Sequence, residues 1–163
     1  MMQLILFRHG IAADATGDMT DDERPLTDEG GKKTAQAARG LAQFADRPDV
    51  IVSSPKLRAR QTAELAAGAF DRSVELDEVI ADGSAAEIVE ALAGRGGERL
   101  MAVGHEPTFS QVVELLCCGQ ITGTVKMKKA AAACLESQGR LQPGEAELQW
   151  LVPPKVLRQL GTP

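Results

Sequence analysis

The chain has two histidines, and both follow an apolar run at the point where a strand would stop. In LILFRHG (4–10) the run ends in Arg8-His9-Gly10, and in MAVGH (101–105) Gly104 precedes His105. Between them, SSPKLRARQTA (53–63) carries Arg58 and Arg60. Two imidazoles with several arginines, without metal-ligand spacing, suit phosphoryl transfer. The planar guanidinium fork meets phosphate oxygens in bidentate fashion and keeps its charge. A neutral imidazole, with an ordinary pKa of about 6.5, is a nucleophile at neutral pH. A lone histidine at a strand end is more often structural than reactive. Two of two at equivalent strand ends favour a shared site, and Gly10 and Gly104 are expected to let a ligand approach the backbone.

These groups need a scaffold that gathers strand ends. QLILF (3–7) is nearly all apolar, as in a strand buried on both faces. Residues 13–26 are polar, with Gly and Pro, and read as a loop. Thr27 is a candidate cap for a helix from Asp28 to about Ala45, whose first-turn acids Asp28 and Glu29 suit the helix dipole. DVIVSSP (49–55) is a second strand; Ser54 is then a candidate N-cap and Pro55 a first helical residue for KLRARQTAELAAGAF. VELDEVI (74–80) reads as a third strand. Ser84 and Glu87 have capping-box spacing before IVEALAG. RLMAVGH (99–105) is a strand, Pro107 starts the helix TFSQVVELLCCG, and AAAACLES with ELQWLVP forms an antiparallel pair across GRLQPGEA. Strands alternating with helices predict an α/β fold with a largely parallel central sheet. Ligands of such sheets bind beyond the carboxyl ends of the strands, where both histidines and Arg58 fall.

The 163 residues suit one domain with a real core. Hydrophobic residues at 44% and charged residues at 25% are the balance of an ordinary globular protein. A net charge of −5, one Trp and no Tyr argue against a nucleic-acid partner or an anionic membrane surface. No apolar run reaches membrane-spanning length and no basic leader precedes the first strand, so a cytoplasmic location is expected. Cys117, Cys118 and Cys134 lack zinc or disulfide spacing and read as reduced core thiols.

LILFRHG, SSPKLRARQTA and AVGHEP, in this order and at these intervals, resemble the histidine phosphatase superfamily, which includes the cofactor-dependent phosphoglycerate mutases. RPLTDEG (24–30) and the short chain resemble one branch, the phosphohistidine phosphatases of the SixA type. The resemblance implies a phosphoglycerate mutase-like fold, an α/β three-layer sandwich with a mostly parallel central sheet, as a single domain over residues 1–163. It implies that His9 is the nucleophile and forms a phosphohistidine intermediate. Arg8 and Arg58 then clamp the phosphoryl oxygens, His105 completes the pocket, and Arg24 adds a contact to phosphate or substrate. Neither metal nor cofactor is implied. The partner is a phosphorylated protein carrying phosphohistidine, or a small phosphorylated metabolite.

Many superfamily members that cleave phosphate esters use a carboxylic acid to protonate the leaving oxygen. Asp77, Glu78 and Asp82 in LDEVIADG lie in the right region, with Glu78 the best candidate and a solvated strand end the competing reading. A phosphohistidine substrate depends less on such an acid. Little chain is available for a lid between Ile80 and Ala85 or between Gly119 and Ala130, which favours an open site that admits a protein surface. A mutase, which must hold a bisphosphorylated intermediate, fits less well, and a non-catalytic phosphate-binding module is the remaining alternative. GGKKT (30–34) lacks the first glycine of a phosphate-binding loop. Asp18, Asp21, Asp22 and Glu23 read as a solvated loop rather than a cation site. Arg60 reads as a surface residue, and VKMKKA (125–130) as a small basic patch at the site edge or on a turn.

Overall fold

A computed structural model describes residues 1–163. Six strands form one sheet in the order β3-β2-β4-β1-β5-β6: β1 (Met2–Arg8), β2 (Val50–Ser53), β3 (Val74–Leu76), β4 (Arg99–Gly104), β5 (Ala132–Ser137) and β6 (Ala146–Val152). The β1–β4, β4–β2 and β2–β3 pairs are parallel, and β5 runs against both of its neighbours. The expected three layers are present. Leu4, Leu6, Val52, Leu100 and Ala102 face α3 (Glu78–Asp82), α4 (Ala85–Ala93) and α5 (Thr108–Cys118). The alternate residues Ile5, Phe7, Ile51, Met101 and Val103 face α1 (Asp28–Phe44), α2 (Leu57–Phe70) and α6 (Pro154–Leu160). This alternation explains why β1 is apolar at nearly every position. No helix is long and apolar enough to cross a membrane.

Local sequence sets the helix starts. The Thr27 hydroxyl accepts the Gly30 N–H at 2.8 Å, and Ser84 with Glu87 forms the anticipated capping box. Three expectations need correction. α2 begins at Leu57, so Ser54 is not its cap and Pro55 is not its first residue; the Ser54 hydroxyl instead accepts the Lys56 N–H at 3.2 Å and is engaged by His105. The strand expected over 74–80 ends at Leu76, because the Asp77 carboxylate accepts the Val79 N–H at 3.0 Å and starts α3. Cys118 is exposed at the end of α5 rather than in the core. GGKKT lies within α1 as regular helix.

The sequence pattern assigns no element after ELQWLVP, where the structure has α6. Pro154 in its first turn and Gly161 just past its end were the available signals. α6 lies so close to α1 that a Cβ added at Gly40 would fall 1.8 Å from the Leu157 carbonyl oxygen, whereas one at Gly31 meets nothing. In an open helix, Gly→Ala stabilises by about 0.5–1 kcal/mol. Gly31→Ala is therefore expected to raise the melting temperature. Gly40→Ala in the same helix is expected to cost about 1–3 kcal/mol through overpacking. Thermal unfolding of both variants checks this, and equal signs would contradict the close approach.

Candidate active site

Chain order and sheet order diverge at β1 and β4, which are adjacent although β2 and β3 lie between them in sequence. Arg8 pairs with Gly104 at the ends of these strands, and the His9 N–H donates to the Gly104 carbonyl at 3.0 Å. One residue further on, the two imidazoles meet with centroids 5.2 Å apart. The next strand over, β2, ends at Ser53, and the Ser54 N–H donates to the Val103 carbonyl at 3.0 Å. Ser54 Oγ then lies 2.7 Å from His105 Nε2. Parallel register alone thus brings His9, His105 and Ser54 together at the carboxyl edge of the sheet.

His9 Nδ1 lies 2.7 Å from the Gly10 carbonyl oxygen. A carbonyl only accepts, so the proton sits on Nδ1 and the lone pair on Nε2. Burial pushes the His9 pKa down to about 4, with Arg58, Arg8 and Lys129 adding to the effect and the Gly10 bond opposing it. Burial, then His9, Arg58 and Lys56, push His105 down to about 3, against a small upward pull from Asp21. Both rings are neutral at pH 7 while no ligand is bound.

Ring-proton NMR titration of the free protein is expected to show no histidine changing charge near pH 6.5. A ring that titrates there would contradict the buried pair. The same shifts govern stability. The unfolded chain takes up histidine protons below about pH 6.5 while folded His9 stays neutral to about pH 4. Stability is therefore complete above the unfolded value and falls as pH drops through that window, by about 3 kcal/mol for His9.

Arg8 Nη1 donates to the Met127 carbonyl at 2.8 Å, and burial lowers its pKa against the opposing charge of Glu106. Arg58 is 7% exposed and grips Asp21, donating from Nη1 to its carbonyl at 2.8 Å and from Nη2 to its carboxylate at 3.1 Å. Asp21 belongs to a single 3-10 turn, Asp21–Glu23, and also takes Arg24 Nη1 at 3.0 Å. Arg24 first, and then Arg58 against some desolvation, hold the Asp21 carboxyl down to about 2. Arg24 Nε donates to the Ala13 carbonyl at 2.8 Å, so its hydrogen bonds brace the turn that holds Arg58. Thr62 Oγ1 accepts the Gly10 N–H at 3.1 Å and donates to the Arg58 carbonyl at 2.8 Å, tying α2 to the residue after His9. Lys56 Nζ lies 3.6–3.8 Å from Asp21, Asp22 and Asp82.

The structure thus brings His9, His105 and Ser54 to one sheet edge and joins Arg58, Arg24 and Lys56 through Asp21. Glu78 is different: it is exposed at the start of α3 and forms no ion pair with these cations. Asp77 is committed to the α3 cap and to Arg95 Nη2 at 2.6 Å. Of the three candidate acids, only Asp82 reaches the site's charges, through Lys56. Arg60 is exposed beside Glu64, as expected. Asp21, Lys56, Ser54 and Thr62 were not singled out from the sequence as site residues. The glycines also need correction. A Cβ at Gly10 would lie 1.9 Å from Thr34 Oγ1, and one at Gly104 would lie 2.6 Å from the Phe109 ring. Those faces are filled by the protein itself, so the two glycines allow packing rather than ligand approach.

Four buried side-chain polar atoms lack a protein partner, and two of them, Arg8 Nε and His105 Nδ1, belong to this site. Such atoms are rare in folded proteins. Two surface clefts of about 450 and 370 Å³ lie elsewhere, lined by α1 and α2 residues and by α4 with the β5–β6 hairpin. Neither is lined by His9, His105, Arg8 or Arg58. No group of three or more His, Cys, Asp or Glu residues is arranged to hold a metal.

Comparison with known proteins finds relatives of this chain. Residues 4–89 match the histidine phosphatase superfamily (branch 1). The chain is 35% identical to an uncharacterized protein of Picosynechococcus, over 96% of this chain and 99% of that one. It is 29% identical to the phosphohistidine phosphatase SixA of Escherichia coli, over 85% of this chain and 88% of that one. The crystallised protein histidine phosphatase SixA in complex with tungstate superposes with a TM-score of 0.82 at 25% identity, covering 96% of this chain and 99% of that one.

Proposed function

Because the chain belongs to the histidine phosphatase superfamily, we propose that it is a cytoplasmic phosphatase acting through phospho-His9, with protein-borne phosphohistidine as its substrate. The observation that carries this reading is the His9 imidazole: its proton is fixed on Nδ1, and it is kept neutral beside Arg8, Arg58 and His105. In the first step the Nε2 lone pair attacks phosphorus, the P–N bond of the substrate breaks, and the departing imidazole takes a proton from solvent. In the second step a water oxygen attacks the same phosphorus, the P–Nε2 bond breaks, and inorganic phosphate leaves. The water proton passes to the phosphate or to solvent, and His9 regains its lone pair.

The chain's cations serve the transferring group throughout. Arg8 and Arg58 meet its oxygens with fixed positive charge, and His105 donates a hydrogen bond to the charge that develops. Arg24 assists by bracing Asp21 against Arg58.

Three features favour a protein substrate. Only Gly83 and Ser84 separate α3 from α4, so no inserted lid arises there. The clefts of small-molecule size lie away from the histidines. Glu78, the proposed acid for an ester leaving group, is exposed at the start of α3 with no side-chain hydrogen bond that places it at the pocket, which accords with a leaving imidazole that takes its proton from solvent. Phosphate release is to be measured from a phosphohistidine-bearing protein and from small phosphoesters, in EDTA. Rapid release from the protein alone supports the reading. Turnover of the esters alone reassigns the substrate to metabolites, and turnover of neither overturns the enzyme.

A further inference from the structure

The phosphate pocket has a buried anchor outside the strand ends. Glu114, on the inner side of α5, is 2% exposed, and no cation pairs with it. Its cover is the following loop. Oε2 accepts the N–H groups of Thr122 and Gly123 at 2.6 and 2.8 Å. Oε1 accepts those of Thr124 and Val125 at 2.6 and 2.7 Å, together with the Thr124 hydroxyl at 3.2 Å. Four successive amides wrapped on one carboxylate hold it down to about 2, Val125 contributing most. Gly123, at φ +77°, supplies the left-handed residue this wrap requires.

The same loop continues directly into the site. The Met127 carbonyl accepts Arg8 Nη1 at 2.8 Å, and the Met127 N–H reaches Glu106 Oε2 at 3.4 Å. The Ala130 N–H is shared between the carbonyls of Arg8 and His9 at 3.2 and 3.1 Å, and the Arg8 N–H donates to Ala131 at 3.0 Å. The segment is therefore tied at one end to Glu114 and at the other to the backbone of Arg8-His9, with the Arg8 side chain held midway.

We propose that Glu114 is a positioning residue for phosphate recognition, fixing the 122–130 loop so that its Met127 carbonyl aims Arg8 at the phosphoryl group. The affinity part of this proposal rests on the phosphatase reading; the orientation of Arg8 does not. In Glu114→Gln one acceptor oxygen becomes an NH₂ facing two N–H donors, so the wrap cannot close.

The test uses the full chain labelled with ¹⁵N, with the Arg8 Nε–H resonance assigned by its loss in Arg8→Lys, and inorganic phosphate as the probe of affinity. In folded Glu114→Gln the Arg8 resonance is expected to shift or broaden and phosphate binding to weaken roughly tenfold. In an Arg8→Lys background the same change is expected to produce no further loss, because its target is gone. An unchanged Arg8 resonance, or an equal loss with and without Arg8, overturns the proposal. Glu114→Asp keeps the charge one methylene shorter, is expected to give a smaller shift and loss, and decides the matter if the Gln variant does not fold. A wild type that binds no phosphate would end the phosphatase reading, while the Arg8 resonance would still decide this one.

Discussion

His9→Ala is expected to remove turnover almost entirely, by about 10⁴-fold or more, as when the nucleophile of a covalent mechanism is deleted. Nothing else in the pocket can take over. His105 is the only other imidazole in the chain, and its Nε2 is already engaged by Ser54 Oγ at 2.7 Å. The remaining cations can bind a phosphoryl group but offer no attacking lone pair. The fold is expected to survive, because β1 is held by its pairing with β4 and β5 and by apolar residues on both faces. The variant should also lose less stability than wild type as pH falls from about 6.5 to about 4, since one buried imidazole no longer resists protonation. Residual turnover above a hundredth of wild type would show that phosphate leaves by a route that bypasses His9.

Arg58→Ala is expected to cost about 10²–10³ in rate, the usual effect of removing one donor aimed at developing charge. Arg58→Lys should recover only part of this, because an ammonium cannot reproduce the planar fork. Two of the guanidinium's N–H groups are committed to Asp21, which turns the fork and fixes its remaining donors. The loss should therefore be shared in part by Asp21→Asn, which keeps the side chain's shape and removes the charge. Steady-state rates of the three variants on one substrate check the order: Ala the slowest, then Lys, with Asn the mildest. Wild-type rates in Arg58→Ala would remove this residue from the site.

How legible this was in the sequence depended on whether geometry is local. Both histidines could be placed because each sits one residue past a parallel strand, and neighbouring parallel strands that end in register must deliver their next residues to the same edge. The caps at Thr27 and Ser84 were readable for the same reason, since a cap is set within four residues. Asp21 was not readable. It stands 37 residues from Arg58, and in sequence it looks like any acid in a polar loop. Ser54 misled because Ser-Pro ahead of a helical pattern is a good capping signal, and the hydroxyl was drawn instead into the turn at Lys56 and the His105 contact. Asp77 reads in sequence as an acid at a strand end, and only its side chain's bond to the Val79 N–H makes it the cap of α3. Gly10 and Gly104 show the same limit: only the assembled fold reveals that Thr34 and Phe109 occupy the space beside them.

The central claim is that the phosphoryl group passes through His9, and trapping it there is the most direct test. Wild-type protein is mixed with excess phosphohistidine-bearing protein, quenched in alkali within the first turnover, digested and mapped by mass spectrometry. The account predicts a phosphoryl group on the peptide that contains Arg8-His9-Gly10, absent from His9→Ala and lost on acid treatment. Steady phosphate release with His9 never modified would contradict it.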